Sequence, residues 1–318
     1  MGSESEAAAQ LPRIDFSGVD PSAPGTRRWA EVRAQVMDAL TTHGWFDAHY
    51  PQLTPELRAS LFDDAVRPLF SLPVDTKRRN YYGPEKPFHG YLGGLPGLDA
   101  YESLAIVDGL KPENVRAFAD VIWPGGNDGF CEIVHGAAKR IADLEEMVRR
   151  MILEGLGVAK HHGAQSESMW HLFRMSEYKA PNSDEKVTGY VAHQNTNWLS
   201  IVCQNEVNGN EMQTRDDEWV LVKPSPTSLI VNVGNALRAW TNDRLYAPFH
   251  RIMVSGDATR YTAILFSVAN FMIQPADELV DECHPPRFKP HDNNDFIRFC
   301  VSEEGARHED KLKAFCGI

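Results

Sequence analysis

The stretch "TSLIVNVG" at residues 227–234 is rich in β-branched and aliphatic residues and ends at a glycine. Further short runs of this kind follow one another between residues 170 and 270. They are "WHLFRMSEY" (170–178), "TNWLSIVCQ" (196–204), "EWVLVKP" (218–224) and "RYTAILFSVA" (260–269). Many short strands at regular spacing predict a sandwich or jelly roll. Within this region Asn208-Gly209 predicts a hairpin turn, and Asp216-Asp217 predicts a turn between the next two strands.

The first half of the chain has helical periodicity instead. Trp29, Val32, Val36 and Leu40 recur at helical spacing, and Gly44 stands where that helix would end. Thr54-Pro55 predicts the capped start of a second helix that runs through Phe62 and Val66. After "PGGNDG" (124–129), apolar residues line one face of a long helix that ends near Gly155 or Gly157.

Helices followed by strands predict an α+β fold, with a double-stranded β-helix (jelly-roll) core supported by N-terminal helices. We expect a mostly helical part over residues 1–160, which begins with a loose tail at residues 1–10. The jelly-roll part, with a charged C-terminal extension, is expected over residues 161–318.

Composition excludes several classes of protein. The 318 residues are 42% hydrophobic and 24% charged, with a net charge of −12. This balance is typical of a soluble protein and disfavours nucleic acid or an anionic membrane as a partner. Five scattered cysteines without a Cys-x-x-Cys pair favour a reducing compartment. Together with a polar N-terminus and no long apolar run, they predict a cytoplasmic protein.

Two of the twelve histidines belong to a pattern with chemical meaning. His193 and His250 both lie in the strand-rich half, and alternation places Asn195 on the same strand face as His193. Arg260 and Thr262 likewise share a face. A ferrous oxygenase needs two imidazoles and a carboxylate on iron, and a keto-acid co-substrate needs a fixed guanidinium backed by a hydroxyl. These residues supply every part except the carboxylate; His-x-Asn alone is more typical of an ordinary strand.

Over nearly its whole length, the sequence resembles the plant 2-oxoglutarate/Fe(II)-dependent dioxygenases and is most similar to their AOP-like branch. The similar stretches, in order, are "LPRIDF", "LFSLPVDTKRRN", "KPFHGYLG", "IWPGGN", "MILEGLGV", "VKPSPTSLIVNVGNAL", "APFHRIMVSG", "RYTAILFS" and "ELVDECHPPRFKP". The resemblance implies iron on His193, residue 195 and His250. It also implies 2-oxoglutarate on Arg260 and Thr262, beside Tyr178. Dioxygen is then the oxidant, and ascorbate is a candidate reductant.

The sequence departs from the family pattern at the metal. Family members carry aspartate at position 195, whereas Asn195 offers a neutral and weaker ligand. Asn235 also stands where relatives usually have aspartate, and Thr262 replaces the usual serine with its hydroxyl retained. Three interpretations of Asn195 are open: an introduced Asp-to-Asn change, a naturally impaired site, or an amide that suffices for turnover.

Four residues are candidates for substrate contacts. Phe266 shares the strand face of Thr262, and Phe88 and Tyr91 lie in a loop rich in glycine and proline that could close over a substrate. Arg238 could pair with a substrate carboxylate, although a strand-end arginine exposed to solvent is an equal alternative. For each aromatic residue a core position is the competing interpretation.

The expected activity is hydroxylation or desaturation of a small plant specialised metabolite. Two alternatives stay open. One is the oxidative inactivation of a hormone such as indole-3-acetic acid or a gibberellin. The other is a catalytically impaired protein that binds a metabolite or 2-oxoglutarate.

Overall fold

The computed structural model describes residues 11–318, so the tail predicted at residues 1–10 lies outside the described residues. Within this range the helices are α1 (Arg27–Thr42), α2 (Pro55–Ser60), α3 (Arg67–Phe70), α4 (Val74–Lys77), α5 (Pro112–Ile122), α6 (Asp128–Gly155), α7 (His162–Ser168), α8 (Asn235–Trp240), α9 (Asn293–Cys300) and α10 (Lys311–Cys316). A π-helical turn, Leu61–Val66, joins α2 to α3. No helix in the described range is long and apolar enough to cross a membrane.

The strands of residues 11–318 are β1 (Arg13–Asp15), β2 (Trp45–His49), β3 (Leu92–Gly93), β4 (Tyr101–Val107), β5 (Met169–Tyr178), β6 (Ser183–His193), β7 (Leu199–Gln204), β8 (Asn210–Gln213), β9 (Trp219–Leu221), β10 (Ser228–Val233), β11 (His250–Gly256) and β12 (Arg260–Ala269). They form a large sheet of order β1-β2-β10-β7-β12-β5-β4-β3 and a small sheet of order β6-β11-β8-β9. All pairs are antiparallel except β1 with β2.

Helix α6 is the main support of the large sheet. Its buried residues recur at helical spacing, and it packs against both α1 and strand β12. Asn127 begins it, because the Asn127 side chain accepts a hydrogen bond from the backbone N–H of Phe130. The long helix predicted after residues 124–129 is therefore confirmed with its expected end at Gly155.

The second predicted helix is interrupted. Thr54 caps α2 as expected, but the chain passes through the π-helical turn before α3. Pro68 lies in the first turn of α3 and has no N–H to donate to the preceding turn. A π-turn absorbs such a mismatch without ending the helical path.

The division at residue 160 stays a prediction, and the first part is not separate from the sheet. Strands β1 to β4 all lie within it and belong to the large sheet, where β2 pairs with β10 and β4 pairs with β5 of the second part. The C-terminal extension also packs inward, since Phe288, Phe296 and Leu312 are buried in the main core.

One of the two predicted turns is confirmed and the other is wrong. Asp216-Asp217 connects β8 to β9, which pair with each other, and Asp217 takes a positive φ of 62°. By contrast, the strands on either side of Asn208-Gly209 belong to different sheets. The chain crosses from the large sheet to the small one there instead of forming a hairpin.

Candidate active site

Two histidines lie side by side at the ends of neighbouring strands. His193 ends β6 and His250 begins β11, and the two residues are paired in register. Their ring centroids are 4.2 Å apart. Nδ1 of His193 lies 2.9 Å from the carbonyl oxygen of Val191. When the Nδ1 proton is donated to that carbonyl, Nε2 retains a free lone pair for a metal ion.

Burial lowers the pKa of both imidazoles, and the neighbouring His193 lowers that of His250 further. Hydrogen bonds with the Val191 carbonyl and the Asn195 side chain raise the pKa of His193, but burial outweighs them. Both rings therefore favour the neutral form, which is the form that coordinates metal ions.

Asn195 is held beside this pair by its amide nitrogen. The Nδ2 group donates to Ser200 Oγ at 2.8 Å, and the Ser200 hydroxyl donates to Asn197 Oδ1 at 3.1 Å. Because the nitrogen faces Ser200, the amide oxygen is free to face the His193 ring. Two imidazole nitrogens and an amide oxygen fit a metal ion that accepts neutral ligands. Within residues 11–318, no cluster of three or more His, Cys, Asp or Glu is suited to a metal.

The Arg260 guanidinium is the second feature of the site. It is fully buried, and its Nη2 donates to Gln204 Oε1 at 2.7 Å. Its Nε and Nη1 atoms are buried with no hydrogen-bond partner among the described residues. A buried cation with free donors is costly unless an anion pairs with it. A carboxylate that accepts two N–H bonds meets this requirement.

Thr262 and Tyr178 lie next to that guanidinium. Tyr178 is the register partner of Arg260, and the centre of its ring is 5.0 Å from the guanidinium carbon. The buried Thr262 hydroxyl has no partner within the described chain. Gly209 approaches from the chain crossing, where a Cβ atom would lie 2.9 Å from Cδ of Arg260. The three predicted co-substrate residues are thus brought together around unsatisfied polar atoms.

A row of tyrosines connects the Arg260 end to the histidine pair. The Tyr178 ring is 5.2 Å from Tyr101, Tyr101 is 4.9 Å from Tyr190, and Tyr190 is 5.0 Å from His193. Burial raises the pKa of Tyr190 to about 12, so its hydroxyl stays protonated. The row forms an aromatic wall along the path between the two ends.

The predicted substrate contacts differ in their surroundings. Along β12, Ile264, Phe266 and Val268 are half-buried while the residues between them are buried. This alternation places Phe266 on the same strand face as Arg260 and Thr262. Phe88 is also half-buried, and its backbone carbonyl accepts a hydrogen bond from Arg174.

Tyr91 and Arg238 are already engaged. The Tyr91 hydroxyl donates to Glu102 Oε1 at 2.9 Å, and its ring packs against the main core. Arg238 is 5% exposed and forms ion pairs of 2.7 Å with Asp243 and 2.9 Å with Asp310. With two carboxylates on one guanidinium, its charge is compensated within the protein. This geometry gives no support to Arg238 as a free cation for a substrate.

The sequence reasoning missed Tyr101, Tyr190 and Arg174. A signal for Arg174 was present, because counting back from Tyr178 in steps of two along β5 gives Ser176 and Arg174 on the same face. No comparable signal identified Tyr101, whose strand β4 reaches the site by pairing with β5. Tyr190 lies on β6 only three residues before His193, but regular alternation would place it on the opposite face, and a register shift in the pairing of β6 with β11 separates the two residues.

Comparison with known proteins identifies the family of the chain. The sequence profile of the 2OG-Fe(II) oxygenase superfamily matches residues 169–269, which span β5 to β12. The probable 2-oxoglutarate-dependent dioxygenase AOP1.2 of Arabidopsis thaliana is 40% identical over 317 residues, covering 97% of this chain and 96% of the relative. A probable inactive 2-oxoglutarate-dependent dioxygenase AOP2 from the same plant is 28% identical and covers 100% of this chain and 99% of its own length.

A solved structure has the same fold. The crystal structure of the dioxygenase for auxin oxidation of rice superposes with a TM-score of 0.80 at 28% identity, covering 96% of this chain and 99% of the rice chain. The chain belongs to the 2OG-Fe(II) oxygenase superfamily and, within it, to the AOP-like plant 2-oxoglutarate-dependent dioxygenases. The predicted jelly-roll fold and the enzyme class are thereby confirmed.

Proposed function

We propose that this dioxygenase oxidises a small specialised metabolite at an iron site formed by His193, Asn195 and His250. In this proposal Arg260 and Thr262 bind the distal carboxylate of 2-oxoglutarate, and Tyr178 lies beside it. The observation that carries the proposal is the buried Arg260 guanidinium, whose Nε and Nη1 lack partners in the described chain. Together with the Thr262 hydroxyl it offers three polar atoms to one carboxylate.

The residues of the site would then act as follows. Iron, when bound, would bring 2-oxoglutarate and dioxygen together for oxidative decarboxylation to succinate and carbon dioxide. His193 and His250 would hold it through neutral imidazoles, and the Val191 carbonyl would fix the His193 tautomer. Arg260 would orient the co-substrate, and the tyrosine row would exclude water from the reacting centre.

The substrate would bind against Phe266 and the loop that carries Phe88 and Tyr91. Both phenylalanines are half-buried, so each retains apolar surface for a ligand. Hydroxylation or desaturation of a metabolite would follow, in the cytoplasm and with ascorbate as an added reductant. The substrate would be a small molecule, and neither nucleic acid nor a membrane is part of the proposal.

A hormone is the second candidate substrate. The rice protein of 28% identity is a dioxygenase for auxin oxidation, which favours indole-3-acetic acid over other hormones as a test compound. Gibberellins belong in the same test as a second hormone class.

A third candidate is a protein that binds 2-oxoglutarate or a metabolite with little turnover. Asn195 favours it, because the donor set contains no anion to stabilise Fe(II).

Succinate release separates the three candidates. The protein is incubated with Fe(II), ascorbate, 2-oxoglutarate and dioxygen, with and without specialised metabolites, indole-3-acetic acid or a gibberellin. Stimulation by a specialised metabolite supports the first candidate, and stimulation by a hormone supports the second. Binding of 2-oxoglutarate in calorimetry without succinate release supports the third, and no binding at all contradicts the proposal.

A further inference from the structure

A chain of hydrogen bonds connects the Asn195 side chain to the backbone of the large sheet. Asn195 Nδ2 donates to Ser200 Oγ at 2.8 Å, and the Ser200 hydroxyl donates to Asn197 Oδ1 at 3.1 Å. Asn197 Nδ2 in turn donates to the Leu199 carbonyl oxygen at 2.6 Å and to that of Ser267 at 3.2 Å. Ser200, Asn197 and Ser267 are at most 5% exposed, so water has little access to these groups.

The two backbone carbonyls fix the direction of every bond in this chain. Leu199 and Ser267 are paired residues of β7 and β12, so the sheet holds both carbonyls in place. A carbonyl oxygen only accepts, and the Asn197 amide must therefore direct its nitrogen toward the carbonyls and its oxygen toward Ser200. That oxygen takes the single hydrogen of the Ser200 hydroxyl. Ser200 Oγ then has only lone pairs left for residue 195, and an amide N–H matches them.

An amide ligand at residue 195 has a geometric requirement that a carboxylate lacks. A carboxylate has two equivalent oxygens and offers one to a metal in either orientation. An amide offers its oxygen in only one of two orientations, because the other presents N–H groups that cannot coordinate a cation. Asn195 can therefore serve as a metal ligand only if its orientation is fixed.

We propose that Ser200 is the positioning residue that fixes this orientation. It holds Asn195 Nδ2 and thereby directs Oδ1 toward the histidine pair. Asn197 transmits the polarity of the backbone carbonyls to the Ser200 hydroxyl, so that the sheet itself selects an amide at residue 195. A carboxylate there would compete with Asn197 Oδ1 for the one Ser200 hydrogen and leave one buried acceptor without a donor. This inference rests on the proposed function, because it concerns the same iron site.

The competing explanation is that Ser200 only supports the fold of β7. A residue of that kind should affect metal binding by the same factor whether residue 195 is asparagine or aspartate. A residue that orients an amide should matter for asparagine alone, because a carboxylate needs no orientation. The test is therefore a double-mutant cycle of Ser200→Ala and Asn195→Asp.

Anaerobic calorimetry with Fe(II) measures the metal affinity of the four proteins in this cycle. With Asn195 present, Ser200→Ala should lower the Fe(II) affinity about 10-fold, which is the usual effect of removing the hydrogen-bond partner of a metal ligand. With aspartate at residue 195, the same change should hardly alter the affinity.

Ser267→Ala is the matched control. Ser267 is also a buried serine, but its hydroxyl exchanges hydrogen bonds only with the backbone of Leu199 and takes no part in the chain to Asn195. Any change that Ser267→Ala causes in Fe(II) affinity should be the same with asparagine and with aspartate at residue 195, even if the melting temperature falls.

A second measurement needs no metal. Protein labelled with ¹⁵N-asparagine gives a side-chain NH₂ signal for Asn195, which is identified by its loss in Asn195→Asp. Hydrogen exchange of this group should be slow while Ser200 accepts its proton, and Ser200→Ala should accelerate the exchange at least about 10-fold. Ser267→Ala should leave the exchange rate unchanged.

The proposal is overturned if Ser200→Ala leaves the exchange of the Asn195 NH₂ group unchanged. It is also overturned if Ser200→Ala changes the Fe(II) affinity by the same factor with asparagine and with aspartate at residue 195. Failure of the proposed function has a different result: none of the four proteins would bind Fe(II). Accelerated exchange in Ser200→Ala would then still show that Ser200 orients the amide.

Discussion

The two ends of the candidate site differ in charge: the Arg260 end has a positive charge without an anion, and the histidine end has no negative charge for a metal cation. At the Arg260 end, the protein supplies a buried cation and a free hydroxyl but no anion. At the other end, the proposed ligands His193, Asn195 and His250 are all neutral, whereas a divalent cation needs an anion to offset its charge. Under the proposed assignment, the first end should bind 2-oxoglutarate without help from the metal, whereas the second should bind iron weakly. Co-substrate binding and metal binding are consequently separable in this protein.

Removal of the Arg260 charge should have the largest effect on this comparison. Arg260→Ala leaves the distal carboxylate unpaired in a buried site, at a cost of about 2–5 kcal/mol in 2-oxoglutarate binding. This corresponds to a loss of affinity between about 30-fold and several thousand-fold, measured by calorimetry. Arg260→Lys keeps the positive charge but cannot make the two-pronged contact. Its affinity for 2-oxoglutarate should therefore lie between those of the unaltered protein and Arg260→Ala. Unchanged 2-oxoglutarate affinity in Arg260→Ala would show that the carboxylate binds elsewhere.

Restoring an anion at the metal end should have the next largest effect. Asn195→Asp adds a carboxylate beside His193 and should raise Fe(II) affinity about 100-fold, because removal of even an outer partner of a metal ligand costs 10–100-fold. Anaerobic calorimetry with Fe(II) measures this change. In the absence of metal, the unaltered protein and Asn195→Asp should bind 2-oxoglutarate with nearly the same affinity.

Asn235→Asp is the control for that experiment. Asn235 is buried near the same strand end, with Nδ2 at 3.5 Å from Gln194 Oε1, and its Oδ1 has no partner within residues 11–318. A carboxylate there adds the same charge without joining the donor set. If Asn235→Asp raised the Fe(II) affinity as much as Asn195→Asp, the added negative charge alone, and not coordination by residue 195, would limit iron binding.

Phe266→Ala should distinguish the substrate from the co-substrate. Loss of the buried ring contact should weaken substrate binding by about 1.5 kcal/mol, or roughly 10-fold. The affinity for 2-oxoglutarate should stay nearly constant, because Ile264 separates Phe266 from Thr262 along the same face of β12. Equal losses for both ligands would identify Phe266 as a structural residue only.

The smallest effect is expected at Thr262. Thr262→Val removes one hydroxyl and should weaken 2-oxoglutarate binding by about 1 kcal/mol. The melting temperature should not fall, because that hydroxyl has no partner in the described chain before the ligand binds. A lower melting temperature with unchanged 2-oxoglutarate affinity would refute the assignment.

Local patterns in the sequence predicted the elements better than their pairing. Helix α6 followed from the spacing of its apolar residues, and Gly44 marked the end of α1. The Asn208-Gly209 signal failed because a turn motif carries no information on whether its flanking strands pair. A Cβ atom at position 209 is excluded by the Arg260 side chain and the Met253 carbonyl oxygen, each 2.9 Å away, and not by a hairpin.

The site was predictable where a motif or family resemblance existed. His193 and His250 lie on the adjoining strands β6 and β11, whereas Arg260 and Thr262 share strand β12 of the other sheet. Arg238 could not be judged from sequence, because its partner Asp310 is distant in the chain and reaches it only through tertiary packing.

The most direct test of the central claim is succinate formation by this protein and by Asn195→Asp under matched Fe(II), 2-oxoglutarate and dioxygen. If the lack of a carboxylate at residue 195 limits turnover, the variant should form succinate substantially faster. The difference between the two rates should become smaller as the Fe(II) concentration is raised. If the protein with Asn195 is already as fast as the variant at low Fe(II), the account of the metal end is contradicted.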